Sequence, residues 1–292
     1  TALSIMRLID PPNGRIVGGQ ILYDGRDLMT LTEREMQSVR GGEIAMIFQD
    51  PMTSLNPVFT IGDQLVETIR LHRLVSLREA REVAIEALHD VQIAMPARRL
   101  SDYPHQLSGG LRQRVVIAMA VACQPRLLIA DEPTTALDVT TQAQILDLML
   151  RLSEEHRVAV ILISHDLGVV AGFCDAVLEM YAGRVVEHGT VRDLFHRPLH
   201  PYTSGLLGSI CRLDGPRGER LVPIGGAPPS LVSMPTGCAF RPRCPFARGR
   251  CAEERPDLLS FGGDHAAACH FAGELPLSDA ERGRADSRRE GS

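Results

Sequence analysis

Two adjacent carboxylates close an apolar run in residues 127–133, which read LLIADEP. The run is typical of a buried strand, and ligands of α/β sheets gather at the carboxyl ends of such strands. At that position Asp131 is suited to hold a magnesium ion through water, and Glu132 is suited to polarise an attacking water. The same sequence also fits two solvated acids at a strand end, so this chemistry requires support from other residues.

Three other stretches have polar residues where a phosphate or a reacting water could bind. Gln49 follows the strand-like run EIAMIF, and His165 follows the run VAVILIS. Residues 107–114, LSGGLRQR, predict a Ser-Gly-Gly turn that opens a helix. Ser108 can cap free amides there, and the glycines allow an anion to approach the backbone closely. Each stretch alone also fits an ordinary strand end or a capped helix.

Buried runs alternate with helical patterns along the chain, which predicts an α/β fold with a parallel sheet. Residues 15–28 alternate in polarity and contain Gly-Gly and Asp-Gly turn signals, so we expect an antiparallel β patch there. The amphipathic pattern over 61–91 predicts a helical insert. After about Arg197, proline, glycine, arginine and cysteine become frequent, which indicates a small appended domain. The charged stretch 276–292 predicts a disordered tail.

The composition argues against several classes of protein. The 292 residues are 44% hydrophobic and carry a formal net charge of −5, which gives no support to a nucleic-acid binder. The longest apolar run, residues 115–123, is well short of the roughly 18 residues that a membrane span needs, so a membrane role would require a partner. All 31 basic residues are arginine, and the first residue is Thr1.

The order of these motifs resembles that of an ATP-binding subunit of an ABC transporter: Q-D-P, L-S-G-G-x-R-Q-R, four apolar residues with D-E-P, A-L-D and S-H-D. The resemblance implies a P-loop NTPase-like ABC cassette over residues 1–197, with a RecA-like parallel sheet and a helical subdomain over about 60–122. The stretches IFQDPMTSLNPVFTIGDQL, DEPTTALDVTTQAQILDL and HPYTSGLL further resemble the dipeptide and oligopeptide importer branch. The cysteine-containing residues 198–275 are similar to the C-terminal extension of that branch.

The resemblance implies a role for each motif in the hydrolysis of magnesium ATP. Glu132 matches the catalytic base, and His165 matches the switch histidine at the γ-phosphate. Gln49 matches the glutamine loop, which contacts magnesium and the lytic water, and Asp131 matches the magnesium-site aspartate. In the family, the signature and the loop between the subunits lie around the ATP held by the opposite subunit. The matching residues are Ser108, Gly109, Gly110 and Gln113 of the signature and Asp138 of that loop.

The same resemblance implies an assembly at a membrane. ATP is sandwiched between two cassettes, here expected to be a homologous heterodimer, which drive two transmembrane permease subunits and depend indirectly on an extracytoplasmic solute-binding protein. The chain would lie peripherally on the cytoplasmic face of the inner membrane and serve the import of di- or oligopeptides. Two alternatives stay open: an importer subunit for nickel or another small solute, and a degenerate, non-hydrolysing cassette that supplies only its signature. A soluble ABC protein acting on DNA or ribosomes usually carries two cassettes or a large inserted arm, and this sequence has neither.

A phosphate loop of the form G-x-x-x-x-G-K-[ST] is missing from the pattern, because it requires a lysine and the chain contains none. In the family this loop lies just before a helix that resembles TALSIMRLI. We therefore expect an N-terminally truncated sequence that lacks the loop and its strand, and we expect this chain alone to bind and hydrolyse ATP poorly. Loss of a central strand would also expose sheet edges and apolar surface.

Four cysteines cluster near the end of the chain with the spacing C-x5-C-x6-C-x17-C: Cys238, Cys244, Cys251 and Cys269. Four thiolates can hold a [4Fe–4S] cluster, and some relatives of the peptide branch have a similar pattern in this extension. Zinc sites usually have tighter cysteine pairs, so zinc is less favoured, and unliganded thiols or a disulfide stay open. His265 and His270 could replace a cysteine as ligands, but they are expected on the surface. The arginines expected to lower the thiol pKa values are Arg241, Arg243, Arg248 and Arg250.

Overall fold

The computed structural model describes residues 1–9, 12, 14–50, 54–135, 137–209 and 223–277. The chain divides into two compact units, Thr1–His165 and Asp166–Ser292, each with its own hydrophobic cluster. The domain boundary predicted near residue 197 stays a prediction. The tail predicted at 276–292 lies outside the described residues from Ser278 onward.

The first unit begins with α1 (Ala2–Ile5), β1 (Leu22–Tyr23), β2 (Arg26–Asp27) and α2 (Glu33–Val39). The two strands are antiparallel, as the sequence predicted for this region. Asp24 and Gly25 form the turn between them with φ angles of 50° and 76°, the left-handed conformation that Asp-Gly adopts in tight hairpins. Ala2 and Met6 are buried in one cluster with Ile129 of the central sheet, so this segment packs onto that sheet.

Three parallel strands form the centre of the first unit: β3 (Ile44–Ile47), β4 (Leu127–Asp131) and β5 (Ala159–Ile163), in the order β3-β4-β5. The predicted parallel sheet is therefore confirmed. Ile47 pairs with Ala130, and Asp131 pairs with Ile163, so all three strands end at the same edge. Among the described strands, β5 lies at one end of this sheet, and its Ile161 is 39% exposed.

Helices lie between β3 and β4 and after β4, as the sequence predicted. The insert consists of α3 (Ile61–His72), α4 (Leu77–Asp90), α5 (Pro96–Arg99) and α6 (Gly109–Val121), and α7 (Val139–His156) follows β4. Capping boxes begin two of these helices, because Thr60 with Asp63 and Ser76 with Glu79 satisfy each other's free backbone amides. Within the described ranges, no helix is both long and apolar enough to cross a membrane.

The second unit contains a small antiparallel sheet. Its described elements are α8 (Leu167–Phe173), β6 (Ala176–Tyr181), β7 (Arg184–Thr190), α9 (Val191–His196), α10 (Pro201–Leu207), α11 (Arg250–Glu253), β8 (Leu259–Ser260) and β9 (Ala266–Ala267). The strand order is β6-β7-β9-β8, so strands that we assigned to the cassette share a sheet with the extension. Tyr181, Val186 and Phe240 form the buried cluster of this unit.

Two glutamates, Glu179 and Glu187, lie directly opposite each other on β6 and β7. Burial, followed by the charge of Glu187, raises the pKa of Glu179 from 4.5 to about 7. The folded state therefore keeps a proton that the unfolded state loses within this window, and the free energy of unfolding falls as pH rises through it. We expect Glu179→Gln to remove this decline, worth up to about 3 kcal/mol, in urea unfolding from pH 4.5 to 8. The exposed Glu253→Gln is the control, and a persisting decline in Glu179→Gln would contradict the assignment.

Candidate functional site

Glu132 is the centre of a polar cluster at the carboxyl edge of the parallel sheet. Its Oε2 accepts hydrogen bonds from Gln49 Nε2 at 2.9 Å and from Thr135 Oγ1 at 2.9 Å. Its Oε1 lies 3.1 Å from His165 Nδ1. The structure therefore brings together the three residues predicted to be catalytic, and their roles stay predictions. Thr135 is a further member that the sequence analysis missed, although it lies only three residues after Glu132.

The local fold explains why these side chains meet. Gln49 and His165 each come two residues after the last residue of their strand, and Glu132 directly follows β4. Because neighbouring parallel strands end at one edge of the sheet, residues just beyond them converge. The Glu132 amide also donates to the Ile163 carbonyl at 3.0 Å, which ties this residue to β5. Its φ of 47° is left-handed, a conformation that a glutamate adopts only where its surroundings hold it.

The hydrogen bonds determine the protonation of the cluster. The bond from His165, and then the bond from Thr135, hold the pKa of Glu132 below its ordinary value of 4.5. An ionised carboxylate only accepts, so His165 Nδ1 carries the proton in this contact, and Nε2 is left as the nitrogen that can face a ligand. The His165 side chain is 71% exposed and that of Glu132 is 23% exposed, so solvent and ligands can reach this edge.

Asp131 and Asp138 lie on either side of this cluster along the chain. Asp131 is the last residue of β4 and is half-buried at the sheet edge, a position that suits a water-mediated magnesium contact. Asp138 is exposed and caps α7, because it accepts the Thr141 amide at 3.0 Å and the Thr141 hydroxyl at 2.7 Å. The backbone amide of Thr141 is the largest cause that lowers the pKa of Asp138, so this carboxylate is ionised at neutral pH.

The predicted signature turn is an exposed helix N-terminus next to the start of α7. Ser108 caps α6, and its Oγ accepts the Leu111 amide at 3.4 Å. Gly109 and Gly110 follow, and their free amides can receive an anion. Gln113 differs from its neighbours in the motif, because it is only 1% exposed and its amide atoms have no hydrogen-bond partner among the described residues. Its predicted contact with a nucleotide stays a prediction, and its burial indicates core packing.

Gly110 has a packing reason to be glycine. A Cβ at this position would lie 2.8 Å from Thr141 Cγ2, and Thr141 is held by its hydrogen bonds to Asp138. We expect Gly110→Ala to destabilise the fold by about 1–2 kcal/mol despite the higher helix propensity of alanine. Gly109→Ala is the matched control, because its Cβ would meet only Leu137 Cδ2 at 3.9 Å. Thermal unfolding compares the two variants, and equal melting temperatures would contradict the expectation.

The four clustered cysteines converge on one cavity in the second unit. Cys238, Cys244, Cys251 and Cys269 all line it, together with His200 and His270 and a mainly apolar wall that includes Phe240, Phe246, Phe271 and Leu275. Local backbone bonds bring the thiols together, since the Cys238 amide donates to the Cys251 carbonyl at 2.8 Å. The Ala268 amide donates to the Val186 carbonyl at 2.8 Å, which places Cys269 directly after the sheet.

The nearby arginines do not set the pKa values of these thiols, although the charge of Arg241 acts on Cys238 in the predicted, lowering direction. Burial raises the pKa values of Cys244 and Cys269 to about 11, and burial also raises the pKa of Cys238. The arginines make other contacts: Arg243 donates to the Ile224 carbonyl at 3.1 Å, and Arg248 lies 4.1 Å above the Phe271 ring. The cost of burying a thiolate therefore outweighs their charge.

The described cysteines of this region form no disulfide, and His265 and His270 are at least half-buried. All cysteines in the described part of the chain are free thiols, and no group of three or more metal-ligating side chains there is arranged to hold a metal ion. His265 was predicted to be a surface residue, but it is buried because its Nε2 lies 2.8 Å from Glu187 Oε1. His270 is half-buried, and its Nε2 lies 2.9 Å from the Glu254 carbonyl oxygen.

Comparison with known proteins agrees with this architecture. The family model described as "ABC transporter" matches residues 2–135, and the model "Oligopeptide/dipeptide transporter, C-terminal region" matches residues 186–251. The chain is 54% identical over 275 residues to the probable peptide ABC transporter ATP-binding protein y4tR of Sinorhizobium fredii, covering 94% of this chain and 82% of that protein. It is 51% identical over 269 residues to the oligopeptide transport ATP-binding protein OppD of Salmonella typhimurium, covering 92% and 79% of the two chains.

Solved structures resemble the chain in the same way. The ATP-binding cassette MJ0796, in a dimeric post-hydrolysis state bound to ADP and Pi, has a TM-score of 0.54 and 30% identity over 60% of this chain and 75% of that chain. The cbiO1 protein of Clostridium perfringens, part of the ABC transporter complex cbiONQ, has a TM-score of 0.57 and 25% identity over 66% and 72% of the chains. The predicted ABC cassette fold is confirmed, and this chain belongs to the ATP-binding subunits of ABC transporters, in the oligopeptide/dipeptide importer branch.

Proposed function

We propose that this protein is the ATP-hydrolysing, energy-coupling subunit of an importer for di- or oligopeptides. The observation that carries the proposal is the Glu132 carboxylate, which Gln49, Thr135 and His165 hold in place at the open edge of the sheet. Relatives named for peptide and oligopeptide transport support the substrate class. The related nickel importers and a non-hydrolysing cassette are the alternatives.

Each polar side chain at the sheet edge has a task in hydrolysis. Magnesium ATP, as substrate, supplies the phosphoryl group that water attacks. Glu132 orients that water and accepts a hydrogen bond from it, because its carboxylate is ionised and its position is fixed. His165 can donate from a ring whose orientation Glu132 sets, and Asp131 with Gln49 provides oxygen ligands for magnesium.

The exposed signature turn serves a second cassette in this proposal. Ser108 and the two following glycines present free amides beside Asp138, and neither helix start is covered within the first unit. We propose that this surface closes over the ATP held by a homologous second cassette in a heterodimer. The pair would act on two permease subunits, receive solute indirectly from an extracytoplasmic binding protein, and lie peripherally on the cytoplasmic face of the inner membrane.

Uptake assays test the proposed substrate class. In cells that lack the gene for this chain, we expect uptake of a radiolabelled dipeptide or short oligopeptide to fall at least to about a tenth, since one coupling subunit is needed for each transport cycle. Expression of the complete native gene restores uptake. Unchanged peptide uptake together with lost uptake of radioactive nickel would favour the nickel importer instead.

We also propose that the cysteine cavity of the second unit receives a [4Fe–4S] cluster. The residue types fit such a cluster, because four thiols line one apolar cavity. Each thiolate of a [4Fe–4S] cluster binds a different iron, so the thiols need not surround a single metal ion, and the described side chains do not form such a single-ion site. Anaerobically isolated protein should contain about four iron and four sulfide per chain, and Cys244→Ser should lose most of both. Cys123→Ser, in the first unit, is the matched control because its thiol bonds only the Thr68 carbonyl in the described chain. Bound zinc without sulfide would contradict the cluster.

A further inference from the structure

His200 contributes an imidazole to the wall of the four-cysteine cavity. The residue is 2% exposed and lines the cavity with Cys238, Cys244, Cys251 and Cys269. A buried histidine next to thiols has two roles open to it, as a ligand or as a hydrogen-bond donor to sulfur. The hydrogen bonds of its own ring decide between them.

The ring has one defined tautomer. His200 caps α10, and its Nδ1 accepts the Tyr202 amide at 3.1 Å. An acceptor nitrogen carries no proton, so the neutral ring carries its proton on Nε2. Within the described part of the chain, Nε2 has no hydrogen-bond partner, so this N–H is the donor that the ring still has available.

The backbone around His200 prevents the ring from leaving the cavity wall. Its amide donates to Glu187 Oε2 at 3.0 Å, and the Leu199 amide donates to Glu187 Oε1 at 2.7 Å. The His200 ring centroid lies 5.7 Å from that of Phe240, which also lines the cavity. Glu187 has no exposed surface, so the whole support is buried. A donor held in this way costs little entropy when it meets a ligand.

We propose that the His200 Nε2–H donates a hydrogen bond to a sulfur of the group bound among the four cysteines, and so raises its reduction potential. This inference rests on the proposed [4Fe–4S] cluster. Reduction adds negative charge to the cluster, and an N–H aimed at sulfur stabilises the more negative state. His200 is a positioning and tuning residue here, and the four thiolates keep their role as ligands.

Two substitutions separate the donor from the helix cap. His200→Asn keeps an acceptor near Nδ1 and is a favoured cap, but it removes the donor at Nε2. His200→Gln places an amide near Nε2 and loses the cap. His196→Asn, at the exposed end of α9, is the control. Each full-length protein is reconstituted anaerobically with iron and sulfide, its iron and sulfide content is measured, and its midpoint potential is determined by electron paramagnetic resonance during a redox titration.

We expect His200→Asn to bind as much iron as the native protein and to have a lower midpoint potential, whereas His200→Gln and His196→Asn keep the native potential. An unchanged potential in a cluster-containing His200→Asn protein overturns the role of His200 and leaves the cluster standing. Native protein without stoichiometric iron and sulfide overturns both proposals. If His200→Asn does not fold, His200→Gln decides, because a lowered potential in that variant contradicts a donor at Nε2.

Discussion

Glu132→Gln is expected to reduce ATP turnover by the assembled transporter about 10²- to 10⁴-fold, the usual contribution of a positioned general base. The amide keeps the shape of the side chain and can still bond Gln49 and Thr135, so the loss reports the missing negative charge. ATP binding should persist, because Glu132 faces the lytic water in this proposal. The measurement is steady-state phosphate release by the complete complex, in which the chain is present with its native partners.

A matched control separates charge at the site from charge elsewhere. Glu155→Gln makes the same substitution at an exposed position near the end of α7 and should leave turnover unchanged. If Glu132→Gln retained more than about a tenth of native turnover, the assignment of the base would fail, as a general base contributes more than that. Native turnover that is already near zero would favour the non-hydrolysing cassette.

Glu187→Ala is expected to have the largest effect on stability, about 3–5 kcal/mol, because it leaves buried donors without an acceptor. Glu187 is fully buried, and it accepts the backbone amides of Leu199 and His200 and contacts His265 Nε2. Glu187→Gln keeps one oxygen acceptor and should cost less. Loss of the Glu187 charge should also bring the pKa of Glu179 down, since that charge contributes to its rise.

Urea unfolding at pH 7 measures this loss. The chain contains no tryptophan, so near-ultraviolet circular dichroism of tyrosine is the specific signal, and Tyr181 and Tyr202 report on the second unit. The exposed Glu253→Ala should leave the midpoint unchanged within error. A loss below about 1 kcal/mol for Glu187→Ala would mean that water replaces the missing acceptor, contrary to full burial.

The sequence by itself determined the motif order, the parallel sheet and the meeting of Gln49, Glu132 and His165. It could do so because strand ends are local signals and parallel neighbours place their carboxyl ends at one edge. The hairpin at Asp24-Gly25 was equally local, since few residue types tolerate its left-handed φ. The family followed from these motifs together, because each of them alone also fits an ordinary capped helix or strand end.

Only the tertiary structure decided the features that depend on burial and on distant partners. Desolvation raises the pKa values of the Cys244 and Cys269 thiols, whereas the neighbouring arginines in the sequence led us to expect lowered values. His265 is internal because it meets Glu187, 78 residues away along the chain. The contact of Gly110 with Thr141 and the tautomer of His200 are likewise set by packing. Local patterns report which chemistry a residue can perform, whereas dielectric surroundings and long-range hydrogen bonds determine its charge, its proton and its partner.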